Sequence, residues 1–206
     1  MNIDTPMEIV DLLKERKIQA AKYSIYRDED YGRIGIKGFD KLSSNQQKDL
    51  LIKMVDSEGP IHFELLRKRL CSFAGIQQGN ARLTLRLQEL FASLVAGRAI
   101  WAVNIFFWPR NPREILIRDR ESLVSSERAL KFIPPEEFQA AIVFSVANSN
   151  GEHIKIVKQK TFKLLGVTQK SEEYKLYFER MVFELIQHGV VYAEDNRLVC
   201  LNIKRV

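Results

Sequence analysis

Residues 57–70 read SEGPIHFELLRKRL. The stretch holds His62, the acids Glu58 and Glu64, the turn-forming pair Gly59-Pro60 and the basic run Arg67-Lys68-Arg69. It can be read as a reactive cluster or as the turn into an amphipathic helix. A second copy of the pattern decides between them. Gly59, Gly75 and Gly97 recur as Gly151, Gly166 and Gly189, at offsets of 92, 91 and 92 residues. The contexts match: SFAGIQ with KLLGVT, and LVAGRAIWA with LIQHGVVYA. This spacing indicates a tandem duplication, with units near 45–110 and 134–203.

Both units carry the same local order. A first helix is expected over 45–56 and 135–147, with Leu50, Leu51, Met54 and Val55, then Phe138, Ala141, Ile142 and Val146, at helical spacing. Pro134-Pro135-Glu136-Glu137 suits a helix start, with proline in the first turn and acids at the positive end of the dipole. A glycine turn follows, then a second helix over 63–73 and 154–165 that stops at Gly75 or Gly166. A longer third helix runs from about 80 to 94 and from 171 to 187. Two β-prone runs close each unit, 99–103 with 105–108 and 190–193 with 197–201, turning at Asn104 and at Glu194-Asp195-Asn196. Helix, short strand or turn, helix, helix, hairpin is the order of a winged helix-turn-helix. The expected fold is mainly α with small β-wings (α+β), as tandem winged-helix units. The expected domains are an N-terminal extension over 1–44 with one helix near 6–20, a first unit with its connector over 45–133, and a second unit over 134–206. In the connector, residues 115–117 are expected to form a short strand.

VDSEGPIHFELLRKRLCSFAGI, Arg82-Leu83, FFWP, ILIRDRES and IPPEEFQAAI together resemble a bacterial domain-of-unknown-function family. Such domains stand at the C-terminus of large superfamily-one DNA helicase proteins, often beside a Vsr-like endonuclease domain. The resemblance spans roughly residues 45–200. It implies the winged-helix architecture and an association with DNA processing, repair or defence. A helicase or nuclease partner is implied in the same way. The family's arginine and glycine ahead of the third helix correspond here to Gln78 and Asn80, with the glycine at Gly79.

Charge points to a polyanion. The chain of 206 residues is +6 at neutral pH. Residues 45–133 hold 14 Lys/Arg against 9 Asp/Glu, whereas residues 1–44 balance 8 against 8. Such a concentrated surplus is the footprint of nucleic-acid binding. On the third helix of the first unit, Leu83, Leu87, Leu90, Phe91 and Leu94 form a core face. Gln78, Asn80, Arg82 and Arg86 are left for base edges or phosphates. Arg67, Lys68 and Arg69 on the second helix join them, as do Arg110, Arg113, Arg118 and Arg120 beyond the hairpin. The partner expected is duplex or forked DNA. Trp101, Phe106, Phe107 and Trp108 crowd the hairpin, where stacking or wedging competes with core packing.

The second unit reads differently. Its third helix sets Lys170, Lys175 and Arg180 against Glu172, Glu173, Glu179 and Glu184. A structural or protein-contact role, including self-association, is expected there. The alternative is backbone contact through Lys155, Lys158, Lys160 and Lys163 of its second helix.

No P-loop, C-x-x-C pair or H-E-x-x-H motif occurs. His62 and His153 hold equivalent places at helix starts and read as turn residues, not as metal or catalytic ligands. Were the chain an enzyme, His62 with Glu58 would be the candidates. No catalytic residue, metal or cofactor is expected. Cys71 and Cys200 read as buried thiols. No apolar run approaches membrane-spanning length and no signal-peptide pattern opens the chain, so a cytoplasmic protein is expected. The alternative to DNA binding is a protein-interaction or dimerisation module.

Overall fold

The structure is a computed structural model, described over residues 7–15, 17–25, 38–74, 81–147, 151–168 and 171–200. The fold is mixed α+β. The chain divides into two compact units. The first runs from Ser24 to Asn111, and the second joins the segment ending at Tyr23 to the segment starting at Pro112.

In the first unit the elements are α2 (Ser44–Glu58), β2 (Ile61–His62), α3 (Phe63–Ala74), α4 (Ala81–Ala96), β3 (Ile100–Val103) and β4 (Phe106–Pro109). Ser43 opens α2 with a capping box: its hydroxyl accepts from the Gln46 N–H, and the Gln46 side chain accepts from the Ser43 N–H. Leu50, Leu51, Met54 and Val55 are buried from α2, and Leu83, Leu87, Leu90, Phe91 and Leu94 from α4. Their helical spacing turns one stripe of each helix into a shared core. The strands form an antiparallel sheet in the order β2-β4-β3.

The second unit repeats this order with α5 (Pro135–Ala147), β6 (Glu152–His153), α6 (Ile154–Leu164), α7 (Glu172–Gln187), β7 (Val191–Glu194) and β8 (Arg197–Cys200). Its sheet runs β6-β8-β7. The correspondence reaches single hydrogen bonds. The Phe63 N–H donates to the Ile105 carbonyl, and the Ile154 N–H donates to the Asn196 carbonyl. His62 Nδ1 accepts from the Glu64 N–H at 3.0 Å, and His153 Nδ1 accepts from the Lys155 N–H at 3.2 Å. Both histidines thus satisfy a donor that the helix start would otherwise leave open. The hairpin turns take left-handed backbone at Asn104, Asp195 and Asn196, which Asn and Asp tolerate better than most residues.

The N-terminal segment corrects the sequence expectation. One helix is expected near 6–20, but α1 (Met7–Lys14) is shorter and β1 (Ile18–Lys22) follows it. β1 lies parallel to β5 (Ile115–Asp119), with Ile18 opposite Ile115. Ala20 and Ala21 favour helix locally, but pairing with the apolar β5 overrides that weak preference. The connector is likewise displaced: β5 packs on α5 within the second unit, not with residues 45–110. Covered by β5, α6 and α7, α5 is buried on nearly every face, including Glu136, Glu137 and Gln139. Residues 26–37, including Asp28-Glu29-Asp30, lie outside the described residues.

Candidate nucleic-acid interface

Sequence analysis singles out eleven side chains for DNA contact, and the structure sorts them. Gln78 and Asn80 lie outside the described residues. Arg82 stands exposed in the first turn of α4, with Thr84 half-buried beside it. Arg86 is committed internally. Its Nε and Nη2 donate to Gln47 Oε1 at 3.1 and 2.8 Å, tying α4 to α2, and Nη1 faces Glu89 Oε2 at 3.3 Å. Gln47 is itself buried and donates to the Phe39 carbonyl. On α3, Arg67 and Lys68 are half-buried. Arg69 Nε meets the buried carboxylate of Glu58 at 3.3 Å, so its charge offsets an acid at the end of α2.

Arg110 is exposed just past β4. Pro109 pairs with Ile100, so Arg110 sits at the base of the hairpin, at the opposite end from the Asn104-Ile105 turn. Ile100 follows the C-terminus of α4 closely, whereas Arg82 is at the helix start. The helix rise over 16 residues is about 24 Å, so the fold does not bring Arg110 to Arg82. Arg113 belongs to the second unit.

Arg118 and Arg120 are corrected outright. They are 4% and 0% exposed, and both bind Glu137. Arg118 donates through its backbone N–H to Oε1 at 2.8 Å and through Nη2 to Oε2 at 2.6 Å. Arg120 closes a bidentate pair, with Nη1 to Oε1 at 2.6 Å and Nη2 to Oε2 at 2.7 Å. The Tyr23 ring lies 5.0 Å from the Arg118 guanidinium carbon and 5.2 Å from that of Arg120. Buried guanidiniums held this way cannot reach a phosphate. Burial pushes the Glu137 carboxyl up, but the two guanidiniums outweigh it and bring it down to about 2. Next to it, burial lifts Glu136 to about 7, with Glu184 and Glu137 adding repulsion. Glu136-Glu137 does open α5, but the sequence reading missed Glu137's role as the anchor of a buried ion cluster.

The hairpin aromatics are divided too. Phe106 and Trp108 are buried, and Phe107 stacks on Phe91 with ring centroids 3.9 Å apart. Core packing takes these three rings, and Ile105 stands exposed at the turn instead. Cys71 and Cys200 are buried thiols outside any disulfide, and burial pushes the Cys71 thiol up.

In the second unit, α7 carries compensated charge on its surface: Lys175 with Glu172, and Arg180 with Glu184, each at 2.9 Å. Exposed Leu176 and Phe183 lie seven residues apart on the same helix. Among the described residues, no three His, Cys, Asp or Glu side chains gather to hold a metal ion, and no helix is long and apolar enough to cross a membrane. No protein family, curated protein or solved structure matches this chain.

Proposed function

We propose that the chain is a non-catalytic DNA-binding protein built from two winged-helix units, with duplex or forked DNA read chiefly by the first. The observation that carries this reading is the order helix, strand, helix, helix, hairpin, found twice. In each copy the short strand pairs with the last strand of the hairpin. In such a fold the third helix enters the major groove and its N-terminal residues meet base edges. On this reading Arg82 is the groove contact, with Lys68 and Arg67 of α3 as backbone contacts. Charge supports the choice of unit. With the observed boundaries the first unit holds 13 Lys/Arg against 9 Asp/Glu, and the second 19 against 17. The link to helicase- or nuclease-driven repair or defence rests on the sequence resemblance.

The test is fluorescence anisotropy with a 20-base-pair duplex and a forked substrate across a salt series. Lys68→Ala with Arg82→Ala is expected to weaken binding several-fold and to lower the salt slope by about one per side chain. No binding by the parent chain at low salt would refute the reading. The protein-contact reading would then take its place, favoured by Leu85 on α4 and Leu176 on α7. These occupy equivalent places in the two copies and are 63% and 57% exposed.

A further inference from the structure

The second unit carries a basic groove beside the second helix, whose lysines the sequence offers as the alternative backbone contacts. The groove encloses ≈ 790 Å³ and runs along one face of α6 to the start of α7. Lys155, Lys158 and Lys163 line it from α6, Lys175 from α7 and Ser171 from just before α7. Phe162 and Tyr174 are its apolar part, and Glu121 and Glu172 its acids. Glu172 is already bonded to Lys175.

Several other cations described in this unit are paired. Glu137 holds Arg118 and Arg120, Glu152 holds Lys160, and Glu184 holds Arg180. Lys155, Lys158 and Lys163 form no ion pair among the described residues, and α6, IKIVKQKTFKL, contains no acid. That arrangement costs the isolated fold. Lys155 stands in the first turn, where the helix dipole disfavours a cation, and like charges three residues apart repel by a few tenths of a kcal/mol. An anion laid along α6 removes both costs at once. From Lys155 to Lys163 the helix rises about 12 Å, and each DNA strand carries one phosphate per about 3.4 Å of duplex axis. The row is too long for one phosphate group and suits several successive phosphates.

We infer that this groove is a second nucleic-acid site, in which Lys155, Lys158 and Lys163 take the phosphodiester backbone of a DNA strand. The identity of the polyanion rests on the proposed function, while the groove stands on its own geometry. The second unit then binds through its second helix and the loop after it, and only the start of its glutamate-rich third helix borders the groove. Contact of this kind carries no base information.

The full-length chain tests this in the same anisotropy assay. Lys155→Ala with Lys158→Ala and Lys163→Ala is expected to lower the salt slope by about 2–3 and to weaken duplex binding at least tenfold at low salt. A charge-matched control, Lys41→Ala with Lys53→Ala and Lys131→Ala, is expected to change little. The replaced lysines are on the surface, and an unchanged thermal melt will show that the fold is retained. An unchanged slope in the triple variant would overturn the inference, as would an equal loss in the control. Binding of inorganic polyphosphate with no binding of DNA would overturn it too. If the triple variant loses affinity while Lys68→Ala with Arg82→Ala does not, the groove stands and the first-unit reading falls. The reverse result sinks the groove alone.

Discussion

Glu136 and Glu137 are neighbours with opposite acid–base behaviour. Among the described residues Glu136 has no countercharge, and its Oε2 has no hydrogen-bond partner. Its folded-state value of about 7 lies above the ordinary 4.5, so the folded chain keeps a proton that the unfolded chain releases. Stability therefore falls as pH rises from about 4.5 to 7. Glu136→Gln is expected to flatten that slope and to be more stable than the parent at pH 8, by about 1–3 kcal/mol in urea titrations. Glu137 has the reverse sign. Its value is depressed to about 2, so its contribution is present above 4.5 and lost as pH falls through 2. Glu137→Gln leaves two buried guanidiniums facing a neutral amide. A loss of about 3–5 kcal/mol is expected at pH 7, with little further acid dependence from this site. The roles of His62 and His153 are legible in the sequence because the duplication shows the same residue at the same turn. Those of Arg118 and Arg120 are not. Strand alternation sets them opposite Ile115 and Ile117, on the side that a half-buried strand would turn to water. Tyr23 and Glu137, distant in sequence, cover the two guanidiniums there.

Helices and hairpins are the legible elements. The leucine stripe of α4 places its core face residue by residue, and Asn104 and Asp195-Asn196 mark their turns by tolerating left-handed backbone. β1 is the element that misleads. Its Ile-Gln-Ala-Ala-Lys continues the helical pattern of α1, and only the partner strand makes it extended. Its importance follows from what it covers. Without β1, the apolar β5 loses its ladder and Tyr23 is no longer held by the chain before it. Deleting residues 1–22 is expected to destabilise the second unit selectively. In hydrogen exchange followed by mass spectrometry, amides of 135–147 should exchange faster, and those of 83–96 should keep their protection. Equal loss in both segments would count against the assignment of β1 to the second unit.

At the scale of the molecule, the duplication reveals that there are two units but not where they are cut. Repeated glycines mark only what was copied. Among the described residues β1 and β5 have no counterpart in the first unit, so nothing periodic announces their pairing, and from the sequence β1 is expected as helix in a separate extension and β5 in the first unit's connector. The surplus of positive charge in residues 45–133 is not all on the first unit, for the same reason. Arg113, Arg118 and Arg120 count toward it but belong to the second unit, where the last two serve its core.

The parallel pair also sets an order of events in synthesis. Ile18 and its partner Ile115 are separated by 97 residues, and the first unit's segment from Ser24 to Asn111 is encoded between them. At roughly 5–20 residues per second, β1 waits about 5–20 s on the ribosome before β5 exists. The first unit, whose contacts are closer in sequence, can close its core during that interval. The second unit cannot begin its ladder until the first has been made. Its folding is tied to a long-range contact, which is the slow kind.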